Sequence, residues 1–334
     1  MATATDMTPP PSAPPFLTSA GWEGARIAPL AGDASFRRYF RVTDGNRQAV
    51  LMDAPPPHED PRSFIAVGEW LTAHGFAAPE ILARDLDRGL VLLEDFGDER
   101  VRDHLDHSPQ DEHGIYRRAV DVLAEIHKLP PCDVPRYDRE VYLREVNLLP
   151  EWFCPAADLD VNMIGYVEAW EAVLPVVEND AAPPVTVLRD YHAENIMLLP
   201  DIERSHGLGL LDFQDALAGH PAYDLVSLLQ DARRDVSIMT EATMLAHYKS
   251  VAPVSPDFDA AYAVLGAQRN AKIIGIFTRL CQRDGKPRYL DYLPRMWGLL
   301  HRDLAHPALE PVNEWFEANI PHELRGVLKP EPRP

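Results

Sequence analysis

Cysteine is scarce in this sequence. Its three cysteines, Cys132, Cys154 and Cys281, lie in 334 residues at spacings that fit neither a disulfide framework nor a zinc site. That usage suits a reducing cytoplasm. No run approaches the ~18 apolar residues of a membrane span. The opening stretch MATATDMTPPPSAPPF lacks the basic and apolar regions of a signal peptide, and its Pro, Thr and Ala content predicts a disordered tail over residues 1–20. Positive charge is short as well: 32 Lys and Arg against 52 Asp and Glu leave a net charge of −20. Such a surface repels phosphate backbones and anionic membranes, which argues against nucleic-acid and membrane partners. There is no P-loop and no serine in a G-x-S-x-G setting. An anionic ligand therefore needs local help from arginines, backbone amides or a metal ion.

What remains is an ordinary globular composition, 46% hydrophobic and 25% charged, long enough for two lobes with their own cores. Residues 21–97 read as strands with one helix. RIAPL, FRRYFRV and QAVLM are short runs separated by turn residues, SFIAVGEWLTAHG has helical spacing, and GLVLLED closes the set as a strand. From residue 98 onward helices dominate, among them IYRRAVDVLAEIHKLPP, REVYLREVNLLPEWF, NMIGYVEAWEAVLPVVEN and AYDLVSLLQDARRD, with two or three more to follow. The exception is Val185–Phe213, where PVTVLRD, NIMLLP and GLGLLDF are strand-like.

That embedded element holds the chemistry. Asp190 and Asn195 stand five apart in one tight connection, and Asp212 ends the strand-like run 17 residues past Asn195. Together they suit phosphoryl transfer. One carboxylate orients and accepts the proton of an attacking hydroxyl, while an amide oxygen and a second carboxylate hold Mg²⁺ against nucleotide phosphates. The histidine-rich HLDHSPQDEH has no common ligand spacing and reads as a solvated loop. His127, on an amphipathic helix, reads as a packed histidine.

D-x-x-x-x-N, a strand and then D-F resemble the catalytic loop and metal-binding segment of the protein-kinase-like fold. RDYHAEN, LLDFQDA, GHPAYDLVSLL and LAEIHKLP are similar to the aminoglycoside and choline kinase branch. That likeness covers roughly residues 20–300, and more narrowly GDASFRRYFRV, VLMDAPPP, LRDYHAENIM, LLDFQDA and KIIGIFTRLCQRDGKPRYL resemble bacterial anomeric sugar kinases of cell-wall recycling. Those enzymes use ATP to phosphorylate the C1 hydroxyl of N-acetylmuramate and N-acetylglucosamine.

The resemblance implies an α+β, protein-kinase-like bilobal fold, with a β-rich nucleotide-binding N-lobe at 21–97 and a mainly helical, sugar-binding C-lobe at 98–334. Nucleotide is expected in the cleft between them. Asp190 is then the base, Asn195 and Asp212 hold Mg²⁺, and Asp224 braces the catalytic loop. The loop Asp33, Ala34, Ser35 and Phe36 either covers the triphosphate or is a simple β-turn. Glu94, Asp95 and Phe96 stand where the adenine-contacting hinge falls. Tyr191, His192, Gln214 and Asp215 adjoin the catalytic segments as acceptor-site candidates, and Arg233, or its neighbour Arg234, suits a lactyl carboxylate.

Two departures stand out. Leu188 occupies the position of the histidine that precedes the catalytic segment in relatives. Met52 stands where the phosphate-binding lysine belongs, with Glu69 as that lysine's would-be partner. Arg37 and Arg41, at alternate positions of the preceding strand, are candidate substitutes, and a solvated strand face is the alternative. Two other functions stay open: a kinase for another small hydroxyl compound, such as an aminoglycoside or choline, and a nucleotide-binding pseudokinase that regulates a partner.

Overall fold

The alternating segments of the first hundred residues do pair, and the helical periods beyond them do pack. The computed structural model describes residues 7–30 and 37–328. In chain order they form α1 (Ala13–Ser19), β1 (Arg26–Pro29), β2 (Arg38–Asp44), β3 (Arg47–Asp53), α2 (Arg62–Ala73), β4 (Ile81–Asp85), β5 (Leu90–Glu94), α3 (Val101–His107), α4 (Glu112–Ile126) and α5 (Arg139–Val146). The short α6 (Cys154–Ala156), then α7 (Met163–Val173), α8 (Pro175–Glu178), β6 (Val185–Val187), β7 (Ile196–Leu198), β8 (Leu208–Leu210) and β9 (Leu217–Gly219) follow. The remaining helices are α9 (Ala222–Leu229), α10 (Ile238–Val251), α11 (Phe258–Gln282), α12 (Leu293–Leu304) and α13 (Glu310–Asn319). Four helices thus succeed α9, where the sequence suggested two or three. The chain divides into two compact units: residues up to Val122 with Ala193–Ala216, and Leu123–His192 with Leu217 onward.

The first unit is built on an antiparallel sheet of order β1-β2-β3-β5-β4. Asp44 pairs with Arg47 across the β2–β3 hairpin, whose turn uses Gly45 at φ 59°, a conformation glycine adopts without a Cβ penalty. Phe40, Val42, Ala49, Leu51, Leu90 and Leu92 share one face and pack with Phe16, Leu17 and Trp22. Part of the expected disordered tail is therefore ordered: Ala13–Ser19 is a helix that buries Phe16 and Leu17. A proline at its first turn suits a helix start, because that position has no intrahelical N–H bond to lose. Leu90–Leu93 of β5 are all buried, as befits a strand covered on both faces. Phe64 of α2 stacks on Phe213 with ring centroids 4.9 Å apart. The β7–β8 hairpin joins this unit through Ala77, whose carbonyl accepts the Leu210 N–H at 2.7 Å.

The second unit is organised by α11. Eighteen of its 25 residues are buried, which marks a core helix rather than a surface one. Helices α5, α9 and α12 pack on it. Its backbone comes close to a neighbour at Gly275, where a Cβ would lie 2.3 Å from the backbone of Leu148. A two-stranded pair, β6 with β9, stands beside the helices with Val187 opposite Leu217.

Candidate active site

Strand β6 ends where the candidate catalytic segment begins, and a buried acid shapes the exit. Asp224, in the first turn of α9, is fully buried and accepts the backbone N–H groups of Leu188 at 2.6 Å and Arg189 at 2.8 Å. Arg189 sits in the left-handed region at φ 72°, so the chain turns sharply just before Asp190. Burial pushes the Asp224 carboxyl up to about 7, while the two donated N–H groups work against it. This is the bracing role expected of Asp224.

The Asp190 side chain remains 44% exposed. Burial of its surroundings works to raise its pKa. Lys272, Arg269 and Arg189 override that and hold the carboxyl below the usual aspartate range. Arg269 Nη2 lies 3.9 Å from Asp190 Oδ1. His192 is buried, and desolvation lowers its imidazole to about 4, so it is neutral near pH 7. Arg233 Nη1 lies 3.4 Å from His192 Nε2, which brings these two acceptor-site candidates together. Tyr191 is buried to 3% exposure, and desolvation drives its phenol well above the usual range.

Asn195 and Asp212 belong to the other compact unit. They flank the open end of the β7–β8 hairpin, one just before β7 and one two residues after β8, and the Leu211 N–H donates to the Asn195 carbonyl at 2.9 Å. Antiparallel pairing thus converts a separation of 17 residues into side-chain contact: Asn195 Nδ2 lies 3.3 Å from Asp212 Oδ2. Gln214 Nε2 donates to Asp212 Oδ1 at 2.7 Å. Asp212 has φ 59°, a conformation that costs an L-residue about 1–3 kcal/mol and gathers at functional sites. Phe213, stacked on Phe64, anchors the turn. Amide and carboxylate oxygens are hard donors, and the Gln214 side-chain oxygen is buried with no hydrogen-bond partner. This set fits a hard divalent cation such as Mg²⁺. Asp215 is exposed.

The nucleotide candidates are dispersed among ion pairs. Asp33, Ala34, Ser35 and Phe36 lie outside the described residues. Arg41 is clamped by Asp95 at 2.6 Å and Asp98 at 2.9 Å, and Arg37 lies 3.5 Å from Glu59. Glu94 takes both ends of the Arg204 guanidinium at 2.5 and 2.8 Å, and that guanidinium also covers the Phe96 ring at 5.4 Å. Met52 is fully buried opposite Tyr39, and Glu69 pairs instead with Arg84 at 3.0 Å. His104 pairs with Glu99 and Asp111, but the expected loop is helical: His104 and His107 lie in α3 and His113 in α4. Sequence reasoning missed Arg269, Lys272 and Glu145. For Arg269 and Lys272, two cations at i, i+3 in the mainly apolar stretch Ala260–Phe277 of α11 were the available signal.

An antiparallel five-stranded sheet, a mainly helical unit, and an Asp–Asn–Asp set on a loop and the hairpin after it define a kinase-like α+β protein. The sequence pattern of the phosphotransferase enzyme family matches residues 26–264, and the chain belongs to that family. The N-acetylmuramate/N-acetylglucosamine kinase of Caulobacter vibrioides is 36% identical, over 93% of this chain and 96% of that one. The kinase of the same name from Pseudomonas aeruginosa is 38% identical over 92% and 93%. Among solved structures, choline kinase LicA from Streptococcus pneumoniae matches with a TM-score of 0.60 at 14% identity, covering 87% of this chain and 94% of that one. The ADP-bound aminoglycoside phosphotransferase APH(2'')-Ib matches at 0.57 and 15%, over 86% and 94%. Identities this low show the fold alone.

Proposed function

We propose that this protein is an ATP-dependent sugar kinase that phosphorylates the anomeric C1 hydroxyl of N-acetylmuramate and N-acetylglucosamine, in the cytoplasm and in service of peptidoglycan recycling. The observation that carries this reading is identity of 36–38%, over more than nine-tenths of both chains, with two kinases named for those sugars. Asp190 is the base. It takes the proton of the C1 hydroxyl as the sugar oxygen bonds to the γ-phosphorus and the bond to the bridging oxygen breaks, releasing ADP. Asn195 and Asp212 would hold Mg²⁺, which when bound neutralises charge on the phosphates. Arg233, whose guanidinium lies beside His192, is the candidate partner of the lactyl carboxylate. Catalysis then rests on positioning, with little covalent work by the protein.

Purified protein incubated with Mg·ATP and either sugar should give a sugar 1-phosphate, read as an anomeric phosphorus signal by ³¹P NMR and a coupled C1 proton by ¹H NMR. Nucleotide binding without turnover of either sugar would instead favour another acceptor or a regulatory role. Asp212→Asn should lower kcat by about 10²–10³-fold, the usual cost of removing one electrostatic stabiliser at a reacting centre. It should also raise the Mg²⁺ concentration needed for half-maximal rate. An unchanged Mg²⁺ titration in that variant would remove Asp212 from the metal site.

A further inference from the structure

Helix α11 buries apolar residues along most of its length, yet it places Arg269 and Lys272 one turn apart with side chains only 4% and 13% exposed. A buried charge is costly unless it is paired, so each needs a reason to be there. Lys272 has one. Its Nζ donates to Glu145 Oε1 at 2.8 Å. The same carboxylate also takes Arg189, Gln268 and Tyr137, so a single acid serves two cations.

Arg269 is less well provided for. Its Nη2 donates to Ser227 Oγ at 2.8 Å, while Nε and Nη1 are buried with no hydrogen-bond partner. Among the described residues, the carboxylate within 4 Å of it is Asp190, at 3.9 Å. A guanidinium sealed into a helix core, held by one serine and pointed at one half-exposed aspartate, contributes little to folding for its cost. Its value lies in what it does to that aspartate.

We infer that Arg269 is a positioning residue for phosphoryl transfer: from 3.9 Å its guanidinium orients the Asp190 carboxylate that takes the acceptor's proton. This inference rests on Asp190 being the base. The local charges agree with it. From its own loop Asp190 faces Arg189 and the neutral His192, from α11 it faces Arg269 and Lys272, and from α9 it faces Asp224. Glu145 binds Arg189 and Lys272, whereas the carboxylate within 4 Å of Arg269 among the described residues is Asp190. The depressed pKa of Asp190 is what this surplus of positive charge produces.

The test compares Arg269→Met and Arg269→Lys with the unsubstituted protein. Steady-state rates across pH, thermal unfolding, and ¹³C NMR titration of aspartate carboxyls, assigned with Asp190→Asn, are the readouts. Arg269→Met should lose about 10²-fold in kcat with sugar KM little changed, the signature of a misplaced base. The acid limb of its kcat/KM profile and the Asp190 ¹³C titration should both move up by about one pH unit. Arg269→Lys should recover most of the loss, which a purely structural arginine would not predict. An Arg269→Met protein with wild-type kcat and an unmoved carboxyl titration overturns the inference. Should that variant not fold, an Asp190 that titrates at or above the ordinary aspartate range in the unsubstituted protein overturns it equally. If the unsubstituted protein turns over neither sugar, the functional reading fails, while the carboxyl titrations still decide whether Arg269 governs Asp190.

Discussion

Asp190→Asn should cost about 10²–10⁴-fold in kcat while ATP binds as before. The substitution keeps the shape of the side chain and removes its ability to take a proton. It should leave the fold intact, because the brace on this loop runs from Asp224 to the backbone N–H groups of Leu188 and Arg189, not to the Asp190 side chain. The carboxylate itself is 44% exposed, so little packing depends on it. The pH dependence has a definite sign. In the proposed role the ionised carboxylate is the working form, and activity is lost as pH falls through its folded pKa. Lys272, Arg269 and Arg189 hold that pKa below the ordinary range despite burial, so the acid limb should lie below the ordinary aspartate value of ~3.9, not above it. Initial rates between pH 4 and 8, taken where circular dichroism is unchanged, check the profile. An Asn variant within about tenfold of wild type would strip Asp190 of the base role, since even modest general-base catalysis exceeds that.

The spacing of Asp190, Asn195 and Asp212 was legible because it is local. A hairpin spanning Ile196–Leu210 closes within one stretch of sequence, and its register brings Asn195 and Asp212 together. The sheet was legible for the same reason, through period-two alternation and turn residues. The α1 helix was not. Prolines and small residues dominate residues 7–20, and the partners of Phe16 and Leu17 are supplied by β2, β3 and β5. Non-local contacts also hid the charge network around Asp190. Glu145 and Lys272 are 127 residues apart, and helical periodicity says that Lys272 lies on a face without saying what that face meets. The hinge candidates show the same limit. Glu94, Asp95 and Phe96 stood out in the sequence, but nothing local announced that Arg204 and Arg41 would hold them. Met52 was visible as a departure from relatives, while its burial opposite Tyr39 and the diversion of Glu69 to Arg84 required the fold.

Asp224→Ala should damage stability and turnover together, although its side chain sits behind the loop. Removing the carboxylate orphans the N–H groups of Leu188 and Arg189, at about 1–3 kcal/mol each. It also releases Arg189 from a left-handed conformation that only its surroundings enforce. The relaxed loop carries Asp190 with it, and a displacement near 1 Å is enough to lower kcat by about 10²-fold. Asp224→Asn should fall between the two proteins, because one N–H keeps an acceptor while the other meets an amide nitrogen. The Asn variant also separates charge from shape. Wild-type Asp224 keeps its proton up to about pH 7, whereas the unfolded chain releases it near 3.9. The native state therefore binds the extra proton between those values, and this group's contribution to stability falls as pH rises through the window, reaching its floor above about 7. Asparagine does not titrate, so the stability gap between wild type and Asp224→Asn should narrow from pH 5 to pH 8. Urea midpoints of both proteins at the two pH values measure that gap. A gap that widens would mean that the ionised carboxylate, tied to its two N–H donors, is the form the fold prefers throughout.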